Sequence, residues 1–130
     1  MPYAIAAYTM YGTLSAAAPE IRGQWEMTLM PGVLNEETGE IDRTGGASGS
    51  AVVMFDKAED KEACWKFMEW LTRADVQAEF GNRIESQLGP SARYATANLE
   101  AFGELNWSRD ELAVLSAQRA FIRGVPELPV

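Results

Sequence analysis

The chain alternates between short apolar runs and turn residues before it becomes helical. Residues 2–9 (PYAIAAYT) suit a short extended segment, with Tyr3, Ile5 and Tyr8 as the strand formers. Residues 10–18 (MYGTLSAAA) predict a helix, stopped by Pro19 and turned by Gly23. In residues 25–30 (WEMTLM), Trp25, Met27 and Leu29 alternate with Glu26, Thr28 and Met30, which predicts a half-buried strand. Turn chemistry at Asn35-Glu36-Glu37-Thr38-Gly39 between Val33-Leu34 and Ile41 predicts an exposed hairpin tip. A small-residue loop, residues 45–50, leads into Ala51-Val52-Val53-Met54-Phe55, a run apolar enough to be a strand buried on both faces.

From Asp56 the period changes. Cys64, Phe67, Met68 and Leu71 share one helical face, widened by Trp65 and Trp70, which read as core. Thr72-Arg73-Ala74-Asp75 has the spacing of a capping box and predicts a second helix start, with Val76 and Phe80 inward and an end near Gly81-Asn82. Residues 85–94 then read as loop, and 96–102 as a short helix. Ser108-Arg109-Asp110-Glu111 is a stronger capping box. It opens a helix over 109–123 whose apolar positions are Leu112, Leu115 and Ile122, with Val114 and Phe121 alongside and Gly124 as its stop. Trp107 reads as the hydrophobic residue before that cap. The expected fold is mixed α/β: a small central sheet with several packed helices and a helical C-terminal half.

Composition narrows the chemistry. A length of 130 residues is room for one domain. Without histidine there is no Ser-His-Asp triad, no Cys-His dyad and no imidazole metal ligand. A single cysteine, Cys64, allows neither an internal disulfide nor a thiolate zinc cluster, and its apolar face reads as an inert buried thiol. A net charge of −8 argues against binding a phosphate backbone. No apolar run approaches the roughly 18 residues of a membrane helix. The first residues lack a signal-peptide core, which reads as cytoplasmic if Met1 is the natural start.

Candidate sites are few. The glycine loop lacks the Lys-Ser/Thr of a phosphate cradle and precedes a strand, so it reads as a flexible loop or as the border of a polar ligand. Glu36, Glu37, Glu40 and Asp42 lack the order of a calcium loop and read as a solvated tip. No carboxylate pair stands out for glycoside hydrolysis. Tyr8, Tyr11, Trp25 and Tyr94 lie near loop junctions, where aromatic rings make platforms for the apolar face of a sugar. Trp25 suits either platform or core, while Tyr8 and Tyr11 read as core first.

Several phrases in order carry a resemblance. They are APEIRGQW (18–25), MPG (30–32), TGGASGSAVVM (44–54), DKEACWKFMEWLTRADVQAEFG (60–81), GPSARYATAN (89–98) and GVPELP (124–129). Together they resemble the C-terminal part of an extracellular solute-binding protein of the sugar-binding type (family 1) from an ABC importer. The resemblance spans nearly the whole chain. It implies part of one lobe of a periplasmic-binding-protein-like fold, within a longer, lipid-anchored, extracytoplasmic parent. It implies capture of a sugar or oligosaccharide for delivery to permease subunits, with no catalysis, cofactor or metal. Trp25 matches a ring-stacking position; Gly45, Gly46 and Ser48 match a loop bordering the cleft. Arg93 matches a segment near the cleft that can hydrogen-bond ligand hydroxyls or carboxylates, and the stretch from Tyr8 to Tyr11 precedes a cleft-facing helix. The helix pair at 57–82 matches a structural element. The acidic turn at 35–43 departs from the pattern. A small stand-alone interaction or dimerisation domain of the same fold is the other reading. Exposed apolar surface where the other lobe would sit would then drive self-association.

Overall fold

A computed structural model describes residues 3–47 and 49–124. Helix α1 (Met10–Ala17) runs into a 3-10 turn at Pro19–Ile21. Strands β1 (Val33–Leu34) and β2 (Ile41–Asp42) form an antiparallel hairpin with Val33 opposite Asp42. Its tip is set by Asn35, whose Oδ1 accepts the Glu37 and Thr38 N–H groups, and by Gly39 at φ +73. Strand β3 (Gly45–Gly46) pairs in parallel with β4 (Ile122–Arg123). The helices α2 (Lys61–Thr72), α3 (Ala74–Leu88), α4 (Leu99–Gly103) and α5 (Arg109–Arg119) make up the rest, with a 3-10 turn at Pro90–Ala92 between α3 and α4. Among the described residues the chain is thus mixed α/β, with five helices and two two-stranded ladders. Among the described residues, no helix is long and apolar enough to cross a membrane.

The helices begin where local chemistry satisfies their free N–H groups. Asp60 caps α2 by accepting from the Ala63 N–H, and Asn98 caps α4 by accepting from Glu100 and Ala101. Ser108 and Glu111 form the full reciprocal box at α5. The box expected at Thr72 does not form. The Thr72 hydroxyl donates back to the Met68 and Glu69 carbonyls, Arg73 takes the cap position, and its guanidinium pairs with Asp75.

Other expectations are corrected by tertiary context. Helix α3 does not end at Gly81-Asn82 but runs to Leu88, where Gly89 at φ +83 closes it. Gly81 instead permits close packing: a Cβ there would stand 2.6 Å from Leu105 Cδ2 and 3.1 Å from Tyr94 Cβ. Helix α5 stops at Arg119, because Ile122 and Arg123 turn out to pair with Gly45 and Gly46. Residues 25–30 form no ladder. The Met30 N–H donates to Gln118 Oε1 at 2.9 Å and its carbonyl accepts from Arg43, so side chains satisfy the Met30 backbone. Residues 3–7 are exposed and irregular, turning into α1 through a Met10 N–H to Ala7 carbonyl bond. The small central sheet is replaced by the two separate ladders, and residues 51–55 belong to neither.

The core lies between α1, α3, α4 and the turn at Pro90–Ala92. Ala78, Ala101, Phe102 and Leu105 are buried there. Gly12 lets α1 lie against that turn, since a Cβ would meet the Pro90 carbonyl oxygen at 2.5 Å. Helix α2 packs on α3 but keeps much of its apolar face in solvent: Trp65 is 60% and Trp70 is 49% exposed, so neither is core. Cys64 is half-buried rather than sealed. The chain exposes 10452 Å² in all, whereas a compact monomer of this mass exposes about 6,800 Å².

Candidate functional site

Among the described residues, a dense polar and aromatic constellation gathers around Arg93, just beyond the turn at Pro90–Ala92. A guanidinium placed on apolar packing needs a fixed counter-charge. Glu85, on the last turn of α3, supplies it: Arg93 Nε and Nη2 donate to the two Glu85 carboxylate oxygens at 3.0 and 2.5 Å. Both side chains are only 8% exposed. Burial works against the arginine's charge, but the facing Glu85 carboxylate outweighs it and holds the guanidinium pKa above its ordinary value.

Aromatic rings enclose this pair. The Arg93 Cζ lies 4.7 Å from the centre of the Tyr11 ring and 4.4 Å from that of Trp107. Trp107 also meets Tyr8, Tyr11 and Phe102 with ring centres 6.1, 5.6 and 5.5 Å away. Tyr11 in turn meets Trp25 edge to face at 5.6 Å. Behind Phe102, Arg119 lies 3.9 Å from the ring centre and donates to the Thr96 carbonyl at 3.0 Å. Buried Thr96 is tied by its hydroxyl to Gln77 on α3. Two donors inside the cluster, Arg93 Nη1 and Trp107 Nε1, are buried and find no acceptor among the described residues.

The predicted site residues therefore divide. Tyr8, Tyr11, Trp25 and Arg93 come together, although 85 residues of sequence separate the first from the last. Trp25 is half-buried, between the platform and core readings, and so are Tyr8 and Tyr11. Gly45 and Gly46 are held elsewhere, in the parallel ladder with Ile122 and Arg123, and Met30 Sδ covers Gly45. Ser48 lies outside the described residues. Tyr94 packs on Phe80 rather than in the cluster.

Sequence reasoning missed Glu85 and Trp107. A helix ended at Gly81-Asn82, six residues short of Leu88, leaves Glu85 in a loop; the longer α3 offers it as a counter-ion for Arg93. Trp107 carried the signal of its place beside a strong cap, which fixes the ring where the chain enters α5.

Burial raises the Tyr8 pKa above its ordinary 10.0, with Arg119 pulling weakly the other way. A phenol that resists ionising only when folded stabilises the protein below pH 10 and loses that contribution as pH rises through the raised value. Urea midpoints should thus fall from pH 9 to pH 11 more steeply in the parent protein than in Tyr8→Phe. Equal slopes would mean that Tyr8 ionises as freely in the folded chain as in the unfolded one.

Comparison with known protein families, characterised proteins and solved structures finds no match.

Proposed function

We propose that this chain is the C-terminal segment of a solute-binding protein of the sugar-binding type, part of one lobe of a periplasmic-binding-protein-like fold. In this reading the parent is an extracytoplasmic, lipid-anchored protein. It captures a sugar or oligosaccharide between two lobes and delivers it to ABC permease subunits. It binds without transforming its solute. The observation that supports the reading best is the convergence of Tyr8, Tyr11, Trp25 and Arg93. Those are residues that the family resemblance puts at the ligand. Half-buried rings beside buried hydrogen-bond donors suit a ligand with apolar ring faces and many hydroxyls.

One lobe offers half a cleft, so affinity for the chain alone is expected in the millimolar range, about −4 kcal/mol. Indole N–H signals in an NMR titration provide the test. Mono- and oligosaccharides should move the Trp25 signal and leave those of Trp65 and Trp70 in place, and Trp25→Ala should abolish binding. A Trp25 signal that stays fixed across sugars and polyols, in a folded protein, would overturn the reading.

A second reading, a small interaction or dimerisation module of the same fold, is favoured by one feature. The apolar run at residues 51–55 stands in solvent.

A further inference from the structure

Residues 51–55 have the composition of a buried strand and the surroundings of a free one. Val52 is 44%, Val53 68%, Met54 39% and Phe55 77% exposed, so side chains on both faces meet water. Among the described residues, none of the backbone groups of residues 51–54 takes part in a hydrogen bond. An unpaired segment of strand-forming apolar residues is a template for another such segment. Beside it, α2 turns Cys64, Phe67 and Met68 toward the run, and together they border an open apolar depression of about 230 Å³. Phe67 and Trp70 stack on each other at 5.8 Å and remain about half exposed.

We propose that this edge is where two copies of the chain join, by antiparallel pairing of residues 51–55 about a two-fold axis at Val53, with Phe67 and Trp70 of each α2 closing over the joint. Three observations favour a second copy as the occupant. The first is charge. Each copy carries −8, yet residues 44–55 contain no charged side chain, so repulsion between copies is least along this run. The second is register. An axis at Val53 sets Val53 opposite Val53 and Ala51 opposite Phe55, which stacks apolar pairs. It also sets Asp56 opposite Ser50 rather than another carboxylate. The third is area. The exposed parts of Val52, Val53, Met54, Phe55, Phe67 and Trp70 amount to roughly 600 Å² per copy, which reaches the lower end of specific interfaces at about 1,200 Å² in total. The chain's surplus of exposed surface is more than enough to supply it.

This edge is separate from the aromatic cluster, so its test is independent of sugar binding. Sedimentation velocity on the whole chain, from the micromolar to the millimolar range, should show a monomer–dimer equilibrium. Added salt should strengthen the dimer by screening the like charges. Val53→Pro removes a ladder donor at a position with no ladder in the monomer. It should raise the dimer dissociation constant at least about tenfold with an unchanged far-UV spectrum. Val53→Lys serves as a second variant and should act the same way. Amide protection at residues 52–55 should rise with protein concentration. A monomer at millimolar concentration, a larger open-ended assembly, or a dimer indifferent to both variants would overturn the proposal.

Discussion

Glu85→Gln should cost the fold about 3–5 kcal/mol, a large share of the stability of a small domain. The substitution hardly changes shape, so the effect is electrostatic. Arg93 stays charged, is only 8% exposed, and loses the carboxylate that takes two of its N–H groups. One further guanidinium nitrogen is already without an acceptor. Tyr11 and Trp107 attract the cation through their faces, but two ring contacts offset only a fraction of a desolvated charge. Urea unfolding of Glu85→Gln, Arg93→Met and the double variant separates the contributions. The double variant should be markedly more stable than Glu85→Gln alone, because it leaves no unpaired buried charge. A loss below about 1 kcal/mol for Glu85→Gln would show the pair to be as well solvated as a surface one.

Trp107→Ala should cost about 3–5 kcal/mol as well, through packing rather than charge. Its ring touches Tyr8, Tyr11 and Phe102 and forms one wall of the Arg93 slot. Removing it leaves α1, α4 and the start of α5 without their shared contact, because Tyr11 and Phe102 lie on the first two and Trp107 itself leads into the third. Trp107→Phe should recover much of the loss. Trp65→Ala is the control: that ring is 60% exposed on α2, and its loss should change stability by less than about 0.5 kcal/mol. Denaturant midpoints and near-UV circular dichroism measured at low concentration give both values. Equal losses for the two tryptophans would mean that Trp107 holds nothing together.

The elements readable in advance are those whose cause is local. The α1 range, the hairpin at 33–42, the Asp60–Leu71 helical face and the Ser108 box each depend on residues within about one turn of one another. Reading failed where a partner lay far away. One exception is local: Thr72-x-x-Asp75 has the same spacing as Ser108-x-x-Glu111, yet only Ser108 forms the reciprocal box, because Asp75 pairs with Arg73 and the Thr72 hydroxyl turns back to the Met68 and Glu69 carbonyls. Gly81 reads as a stop but serves as a flat spot for Leu105 and Tyr94. Ile122 and Arg123 leave the helix because Gly45 and Gly46, far back in the chain, offer a ladder. The apolar run at residues 51–55 shows the reverse. Its composition demands burial on two faces, and no element among the described residues provides it.

The same division holds for the candidate site. Residue types alone leave this chain without an imidazole or an internal disulfide, and its net charge of −8 argues against binding a phosphate backbone. They also marked Tyr8, Tyr11 and Trp25 as worth following, and the family resemblance added Arg93. Only the tertiary structure decided that these four share one cluster, that Gly45 and Gly46 stand apart from it, and that Glu85 and Trp107 complete it. The reason is the range of the forces involved. Helix caps and turns act between neighbours in sequence. A buried guanidinium selects whichever carboxylate and rings the packed helices bring within about 5 Å, and sequence spacing does not encode that choice.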